Sequence, residues 1–473
     1  MRFGRDMTRQ TTCGTPNVLR VAARLAMIAF FSWHVSQFDA ATAESKLQDN
    51  AAQSQDGKGK PQNGEGKQQD EKEKPWGESV AIVDATTLNG KVICGYQGWF
   101  NCPGDGMDLG WKHWAKNARE RLGPGNVTVD LWPDVSELAE KVQYPTAFHH
   151  ADGRVAKAFS SASPEVVAMH FRWMREYGID GVFLQRFANG LDGGRLQKHK
   201  DQVLNLVRRE SARNGRVFAV MYDLSGLRAG QVENVLLDWK TLRSKSEVPL
   251  DSTYLHHEGK PLVAVWGVGF NDGRKYSLDE CIALVDALKA DGCAVMLGVP
   301  SWWREGKRDA TDDPRLPKLV QKADIVSPWS VGRYRTPQQA LGHADQVWKE
   351  DQRWCDKHQV SFLPVAFPGF SWHQLKGAEL DMIPRRNGDF LWSQVYGAKQ
   401  AGCQMLYVAM FDEVDEGTAI FKCDPDPPVS RSEKFLSLQA DPNDHYLRIV
   451  GEATRGFRGT SVIERELPNL AGR

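Results

Sequence analysis

Four carboxylates stand within five positions near the C-terminal end of the sequence, directly after an apolar segment. Met405–Phe411 is apolar throughout and predicts a buried strand, and Gly417 follows the last acid. The four acidic residues are Asp412, Glu413, Asp415 and Glu416. Each negative charge raises the cost of ionising its neighbours. Two carboxyl groups whose pKa values are driven apart can therefore supply an acid and a base for one reaction.

Three interpretations of this acidic cluster follow from the residue types. The carboxylates could cap a following helix or pair with arginines such as Arg186, Arg333 or Arg385. They could bind Ca²⁺ or Mg²⁺ through oxygen ligands, with His149–His150 or His373 approaching in the fold. They could also perform paired-carboxylate acid/base catalysis on a glycosidic bond. The third interpretation is favoured, because tryptophan is abundant (16 residues) and flat aromatic faces suit sugar rings.

Composition limits the class of protein and the kind of partner. The 473 residues are 41% hydrophobic and 10% aromatic, which is typical of a globular protein. The formal net charge is zero, so neither nucleic acid nor anionic lipid is indicated as a partner. We expect a carbohydrate substrate and no integral membrane partner, and the oligomeric state stays open.

The N-terminal residues predict export. A basic region precedes the short apolar segment Leu25–Trp33, and Ala41–Ala43 fits a small-residue cleavage site. We expect a signal peptide at 1–43 that is cleaved after Ala43, which directs the protein to the periplasm or the medium. An uncleaved N-terminal anchor is the alternative, although the apolar segment is short for a membrane span.

The signal peptide is followed by a segment that cannot form a hydrophobic core. Residues 44–75 are rich in Lys, Gln, Gly, Glu and Asp and contain no aromatic residue, so we expect a disordered linker. The folded part is predicted as one domain at 76–460, with a tail at 461–473. Seven of the eight cysteines remain after cleavage. Their spacing permits disulfides but matches no zinc pattern, and Cys281 and Cys403 are expected to be buried thiols.

A helix followed by glycine and then a strand recurs along the chain. The four helices end at Gly178, Gly215, Gly292 and Gly402, and each precedes a nearly continuous apolar strand. Such strands are typical of a parallel sheet that is buried on both faces. The fold class is therefore predicted to be α/β, as a (β/α)8 TIM-type barrel in a single domain.

Further strand candidates complete the series. They are Val92–Cys94, Val127–Leu131, Leu262–Trp266, Ile325–Ser327 and Phe362–Ala366. Nine candidates exceed the eight that a barrel needs, and we suspect Val127–Leu131 of lying outside it. A doubly wound sheet is the rival fold, but no GxGxxG follows a first strand.

Polar and aromatic residues follow nearly every predicted strand, at the end of a barrel where active sites lie. We expect Asp223, Asp412 and Asp415 to bind substrate together with five aromatic residues. The aromatic residues are Tyr96, Trp99, Trp302, Trp303 and Trp329.

The acidic cluster resembles a segment of a known enzyme family. "FDEVDEGTAIF" is similar to the "NEWHEGTxIE" segment of glycoside hydrolase family 99, the endo-α-mannosidases and endo-α-mannanases, and of the wider family 71/99-like group. "GYQGWF", "YGIDGVFLQRF" and "YLRIVGEATRGFRG" are also similar to that group, so the resemblance runs from about Val92 to Gly459. It implies a (β/α)8 barrel that hydrolyses glycosidic bonds without a cofactor or metal.

The resemblance also implies roles for two residues. In the family, one glutamate of this segment assists attack by the substrate's own 2-hydroxyl, and the other is the general acid/base. Carried over, these are Glu413 as the assisting base and Glu416 as the acid/base. The family's Trp-His is Val414-Asp415 here, its leading Asn is Asp412, and its "HIEPY" strand end has no counterpart.

The sequence therefore predicts an exported glycoside hydrolase that uses a pair of glutamates, with retention of configuration through the 2-hydroxyl. Because the mannose-recognising residues differ, the sugar and linkage stay open. The alternatives are a xylosidase or arabinosidase activity on pentose-bearing glycans and a carbohydrate-binding barrel that no longer cleaves.

Overall fold

The computed structural model describes residues 81–438 and 442–470. The predicted signal peptide (1–43) and linker (44–75) lie outside the described residues, as do residues 76–80 at the expected start of the domain.

Twelve strands, named here in chain order, occur in the described chain. They are β1 (Val92–Tyr96), β2 (Tyr144–His149), β3 (Val155–Ala158), β4 (Gly181–Phe187), β5 (Val217–Asp223), β6 (His256–His257), β7 (Lys260–Trp266), β8 (Ala294–Pro300), β9 (Ile325–Trp329), β10 (Ser361–Phe362), β11 (Val365–Ala366) and β12 (Leu406–Val408). All pairings in the main sheet are parallel except that of β6 with β7, and the strand order is β10-β9-β8-β7-β5-β4-β1-β12-β11.

The ring of strands closes through the segment that contains β10 and β11. On one side, Leu363 donates its backbone N–H to Val326 of β9 (2.9 Å). On the other side, Tyr407 of β12 donates to Pro364 (3.0 Å). Proline has no N–H to donate, which interrupts the ladder and divides this barrel strand into two short pieces. Counting 361–366 as one strand gives eight parallel positions, so the expected (β/α)8 barrel is confirmed.

Ten helices accompany the strands in the described chain. They are α1 (Pro164–Glu176), α2 (Arg195–Asn214), α3 (Glu233–Ser244), α4 (Leu278–Ala290), α5 (Leu316–Val320), α6 (Pro337–His343), α7 (Lys349–His358), α8 (His373–Lys376), α9 (Asp389–Gln400) and α10 (His445–Phe457). Each of α1, α2, α4 and α9 is followed by a glycine with positive φ before the next strand, as predicted. Ser277 and Glu280 form a capping box at the start of α4.

A long insertion separates β1 from α1 and covers the C-terminal end of the barrel. It contains the antiparallel pair β2–β3 and reaches the segment that follows β12. Val127–Leu131 lies in this insertion and is not a strand. Its Asp130 and Leu131 donate their N–H groups to Val414 (3.1 and 3.3 Å) instead of to a ladder. The ninth strand candidate is therefore wrong, and the other eight form the barrel.

The interior of the barrel is filled at the level of the rim by two side chains from the last strand and the segment after it. The hydroxyl of Tyr407 lies 3.3 Å from Sδ of Met410 and 3.1 Å from Nε2 of Gln185. A Cβ at Gly95 of β1 would lie 1.9 Å from Sδ of Met410 and 2.3 Å from the Tyr407 hydroxyl. Gly95 therefore allows these side chains to occupy the barrel axis.

The cysteines of the described chain are all buried free thiols. They are Cys94, Cys102, Cys281, Cys293, Cys355, Cys403 and Cys423. Of the described helices, none combines the length and the apolar character that crossing a bilayer requires.

Gly95→Ala should destabilise the barrel, because the added methyl group overlaps Met410 and Tyr407. Overpacking of this kind costs about 1 to 3 kcal/mol of unfolding free energy. Gly342→Ala is the matched control, since no atom lies within 4 Å of its Cβ position and alanine favours a helix. Urea unfolding of the two variants checks this, and equal midpoints would contradict the packing argument.

Candidate active site

The acidic cluster follows β12 and is almost completely buried at the C-terminal end of the barrel. Phe411 donates its N–H to the Gly95 carbonyl (2.7 Å), which holds the start of the segment against β1. The exposed fractions are 0% for Asp412, 4% for Glu413, 2% for Asp415 and 8% for Glu416. A surface role for these charges is thereby excluded, since burial of unpaired carboxylates is costly.

Asp412 connects the segment after β12 to the segment after β1. Its Oδ1 accepts the backbone N–H of Gln97 (2.7 Å), and its Oδ2 accepts that of Gly98 (2.9 Å). Burial raises the pKa of Asp412 to about 6, and the two N–H groups oppose this shift. Because both oxygens are occupied and the side chain is fully buried, the expected substrate contact of Asp412 is corrected. This residue positions the two segments.

Glu413 is held by two side chains that donate to it. Gln97 Nε2 donates to Oε1 (2.6 Å), and Thr418 Oγ1 donates to Oε2 (2.6 Å). Burial and the charges of Glu416 and Asp415 raise the pKa of Glu413 well above its ordinary value, while the two hydrogen bonds lower it. The orientation of the carboxyl group is therefore fixed before any ligand binds.

Glu416 is the most exposed member of the cluster and belongs to the same electrostatic system. Burial, with a smaller contribution from the charge of Asp223, raises the pKa of Glu416 to about 7. A hydrogen bond from Trp372 and the charge of Lys376 act in the opposite direction. With the pKa values of both glutamates raised, the pair retains a proton near neutral pH.

Asp415 faces an aromatic group that comes from the long insertion. His113 Nδ1 lies 3.5 Å from Asp415 Oδ2, and the His113 ring stacks on Trp99 with centroids 3.9 Å apart. Trp99 also stacks on Phe187 of β4 (5.2 Å). Burial and nearby lysines lower the pKa of His113 well below its ordinary value, so the imidazole is neutral.

The backbone of the acidic segment is held by a buried arginine. Arg385 Nη2 donates to the carbonyls of Gly417 (2.8 Å) and Ala419 (2.6 Å). The other two arginines considered as partners pair elsewhere, Arg186 with Asp238 and Arg333 with Asp309. Arg385 therefore supports the acidic segment through its backbone, and Arg186 and Arg333 each bind a carboxylate outside the cluster, which does not favour the interpretation of the cluster as an arginine-paired structural site.

Asp130, a buried carboxylate in the long insertion, supports the acidic segment that follows β12. Asp130 accepts the backbone N–H groups of His373 (2.7 Å) and Gln374 (2.8 Å) at the start of α8. Its own N–H donates to Val414 (3.1 Å). Trp372, which interacts with Glu416, directly precedes this helix, so Asp130 fixes the position of that indole.

Asp223 lies at the end of β5 and acts on the cluster through its charge. Its Oδ1 accepts the N–H of Ser225 (2.7 Å), and burial raises its pKa while Arg274 lowers it. Arg274 donates to Asp272 (2.8 Å) and to Ser225 Oγ (3.1 Å). Arg274 thereby adds a fixed cation beside Asp223.

Aromatic rings line the opposite part of the barrel mouth. Trp329 of β9 contacts Trp266 of β7 edge to face (5.3 Å) and lies 6.4 Å from the Tyr407 ring. Trp266 and Trp329 are 9% and 8% exposed. The Arg274 guanidinium lies 5.2 Å from the Trp266 ring centroid. The predicted Trp329 thus contacts Trp266, which in turn contacts Arg274 beside Asp223.

Two predicted substrate contacts are corrected, and a third lies apart. Tyr96 is fully buried, and its hydroxyl is 2.9 Å from His170 Nδ1 of α1. Trp303 is also fully buried, against Trp354 (4.7 Å). Trp302 lines a separate cavity over β8 and β9. Of the other predicted contacts, Asp223 acts on Glu416 through its charge, Trp99 reaches the cluster through His113, and Trp329 lies near Tyr407.

Sequence reasoning missed several residues that shape the site. Gln97 lies in the "GYQGWF" segment, where its position directly after a strand was an available signal. His113 and Asp130 come from the insertion, and Arg274 and Thr418 contact the site without belonging to a recognisable pattern. No group of three or more His, Cys, Asp or Glu within the described ranges has the arrangement of a metal site.

No family model matches the sequence. The chain is 27% identical over 119 residues to a glycoprotein endo-alpha-1,2-mannosidase-like protein from Danio rerio, an alignment that covers 25% of this chain and 26% of that protein. The chain therefore aligns with only about a quarter of the length of the curated relative it matches.

Solved structures give broader coverage at lower identity. Two structures of the GH99 endo-alpha-mannosidase from Bacteroides thetaiotaomicron each cover 79% of this chain and 99% of their own. The TM-score is 0.56 for the complex with bis-tris-propane and 0.55 for the other structure, both at 17% identity. The expected resemblance to the family 71/99-like group is confirmed, and the structural likeness establishes the barrel fold.

Glu416→Gln should make the stability of the protein less sensitive to pH. The folded-state pKa of Glu416 lies above its ordinary 4.5, at about 7, so the neutral form stabilises the fold. That stability is fully present below pH 4.5 and is lost as the pH rises through 7. Glutamine stays neutral at every pH, so the variant does not lose this stability. Its free energy of unfolding should exceed that of the wild type by at most about 3 kcal/mol at about pH 8.

Urea unfolding of both proteins at about pH 4 and about pH 8 measures this difference. Glu379→Gln, which changes an exposed carboxylate, is the control and should follow the wild type at both pH values. A variant that is no more stable than the wild type at the higher pH would contradict the prediction.

Proposed function

We propose that the protein is a glycoside hydrolase in which Glu413 and Glu416 act as a catalytic pair. The observation that supports this most directly is the burial of both glutamates beyond the last strand of the barrel, with raised pKa values that keep one proton on the pair. Glycosidases of paired-carboxylate type need one protonated and one ionised group at the same pH. The likeness to endo-α-mannosidase sequences and structures supports the same reaction class.

The hydrogen bonds favour a particular division of roles. The amide nitrogen of Gln97 is a donor and cannot accept, and it donates to Oε1 of Glu413, while Thr418 donates to Oε2. Both hydrogen bonds therefore stabilise an ionised Glu413. Glu416 is the more exposed of the two and is the better placed to meet a leaving-group oxygen. We therefore assign Glu413 as the base and Glu416 as the acid that protonates the departing sugar. Because burial raises the pKa of Glu413 as well, the reactive form is the one in which the proton retained by the pair lies on Glu416.

The proposed reaction follows the mechanism implied by the family resemblance. Glu413 removes the proton of the substrate's 2-hydroxyl, whose oxygen attacks the anomeric carbon while Glu416 protonates the leaving oxygen. This forms a 1,2-anhydro sugar. Water then opens that ring, with Glu416 accepting a proton from water and Glu413 returning its proton to the 2-oxygen. Configuration at the anomeric carbon is retained.

The substrate is proposed to be an oligo- or polysaccharide that lies across the aromatic mouth of the barrel. Trp329 and Trp266 form an aromatic group beside Asp223, and Asp223 with Arg274 offers polar groups for hydroxyls. Because Val414-Asp415 replaces the family's Trp-His, a screen should include α-mannosides, α-glucans, xylosides and arabinosides. Export through the N-terminal signal at 1–43 is part of this proposal.

Glu416→Gln should lower turnover by about 10² to 10⁴-fold on a natural glycoside, because the leaving oxygen loses its acid. The loss should shrink on a substrate with an activated aryl leaving group, which needs less protonation. Glu413→Gln should slow both substrates, since attack at the anomeric carbon is impaired whatever departs. Steady-state kinetics on both substrates measures this.

Glu379→Gln is the control, because it replaces an exposed glutamate outside the site and should leave turnover unchanged. Near wild-type rates in both catalytic variants on a confirmed glycoside, together with an inactive Asp223→Asn, would show that the acid/base pair lies elsewhere. Glycan binding without release of a reducing end would favour the non-catalytic barrel.

Thr418→Val should move the acidic limb of the rate profile to higher pH. The Thr418 hydroxyl stabilises ionised Glu413, so its removal raises the pKa of the base, which must be ionised to act. Thr418→Ser keeps the hydroxyl and should restore the wild-type limb. The pH dependence of kcat/KM for the two variants measures this, and equal acidic limbs would refute the role of this hydrogen bond.

A further inference from the structure

A cavity lies over the ends of β8 and β9, on the same end of the barrel as the glutamates. Its volume is about 550 Å³, which is within the range of small-ligand sites. Trp302 lines it from the segment after β8, and Arg333–Arg335 line it from the segment after β9. In the ring of strands, the position shared by β10 and β11 separates β9 from β12, so this cavity lies two to three strand positions from the acidic cluster.

Three arginines give the cavity a positive charge. They are Arg308, Arg333 and Arg335, and none of the described residues that line the cavity is acidic. Arg333 donates to Asp309 (2.7 Å). Arg308 and Arg335 are exposed and form no ion pair with any carboxylate in the described part of the chain. The lining therefore keeps two uncompensated cations.

The cavity is built before a ligand binds. The Arg308 guanidinium lies 4.3 Å over the Trp302 ring, which fixes the orientation of both side chains. Asp309, which holds Arg333, also accepts the backbone N–H groups of Ser301 (3.1 Å) and Trp302 (3.3 Å). One carboxylate thus links the segments after β8 and β9, so little conformational entropy remains to be lost on binding.

Neutral polar groups complete the lining. Gln339 accepts the N–H of Arg335 through Oε1 (2.8 Å), and Gln346 presents a second amide to the cavity. His343 lies edge-on to Trp302 (5.9 Å). Guanidinium groups recognise carboxylates and sulfates, whereas amides and an aromatic ring recognise hydroxyls and the apolar face of a sugar.

We propose that this cavity binds a sugar residue that carries a carboxylate or a sulfate ester. The anion lies between Arg308 and Arg335, and the ring is contacted by Trp302 and the two glutamines. Resting on the proposed function, this identifies an acidic glycan as the substrate class, with the acidic residue held on the same rim as the bond that is cleaved, two to three strand positions away.

Isothermal titration of the purified protein with a uronate-containing disaccharide, a sulfated disaccharide and a neutral disaccharide tests the proposal. At least one acidic disaccharide should bind at least tenfold more tightly than the neutral one, and the tighter of the two identifies the anionic group. Arg308→Gln and Arg335→Gln should each weaken that binding at least tenfold. Both residues are exposed, so their replacement should leave the fold intact.

Arg119→Gln is the matched control, because it removes one exposed arginine outside the cavity and should leave binding unchanged. Equal binding of the neutral disaccharide, binding that persists in both cavity variants, or inorganic sulfate binding as tightly as the sulfated disaccharide would overturn the proposal. Glu416→Gln should bind the acidic disaccharide like the wild type. Hydrolysis of neutral glycans without acidic-sugar binding would refute the cavity alone, and binding without hydrolysis would refute the glycosidase alone.

Discussion

The burial of four carboxylates on one short segment is the constraint that the rest of this barrel satisfies. Each ionised carboxylate taken from water costs several kcal/mol unless it is compensated. The compensation here comes mainly from N–H and hydroxyl donors and from retained protons. Gln97 and Gly98 bind Asp412, while Thr418 and Gln97 bind Glu413. Because most of these donors lie directly after β1, the segments after β1 and β12 have to meet, and the closed ring of strands brings them together.

Arg385 shows why it matters that N–H and hydroxyl donors, and not cations, compensate the buried carboxylates. Arg385 donates to main-chain carbonyls of Gly417 and Ala419 and not to a carboxylate. An arginine bonded to either glutamate would lower its pKa by stabilising the charged form. By binding the backbone instead, Arg385 fixes the geometry of the segment and leaves the proton on the glutamate pair.

The fold could be read from the sequence because its signals are local. Helices ended by glycine and followed by apolar strands identify each unit without knowledge of tertiary contacts, and eight of nine strand candidates lie in the barrel. Val127–Leu131 failed because an apolar alternation does not say whether the backbone N–H groups will meet a ladder. Here the N–H groups of Asp130 and Leu131 meet the carbonyl of Val414, which is remote in sequence.

The candidate site could be predicted only where it lies on the strands or directly after them. The four carboxylates were marked by their spacing, and the family resemblance selected Glu413 and Glu416 among them. His113 and Asp130 come from an insertion whose path the sequence does not encode locally. Tyr96 was misplaced for a related reason. Successive side chains of a strand point to opposite faces, and the sequence does not say which face of β1 is the barrel interior.

The acidic cluster and the arginine-lined cavity at the barrel mouth have opposite electrostatic requirements, and their separation allows both to be met. Cations close to Glu416 would lower its pKa, and Lys376 is the only cation that does so appreciably in the described chain. The arginines over β8 and β9 are not among the main causes of the raised pKa of either glutamate. A glycosidase that acts on an acidic glycan needs both a protonated acid and a cationic anchor. Placing the anchor two to three strand positions from the catalytic pair lets a single rim provide both, because screening by water and ions weakens the interaction between the two charged regions.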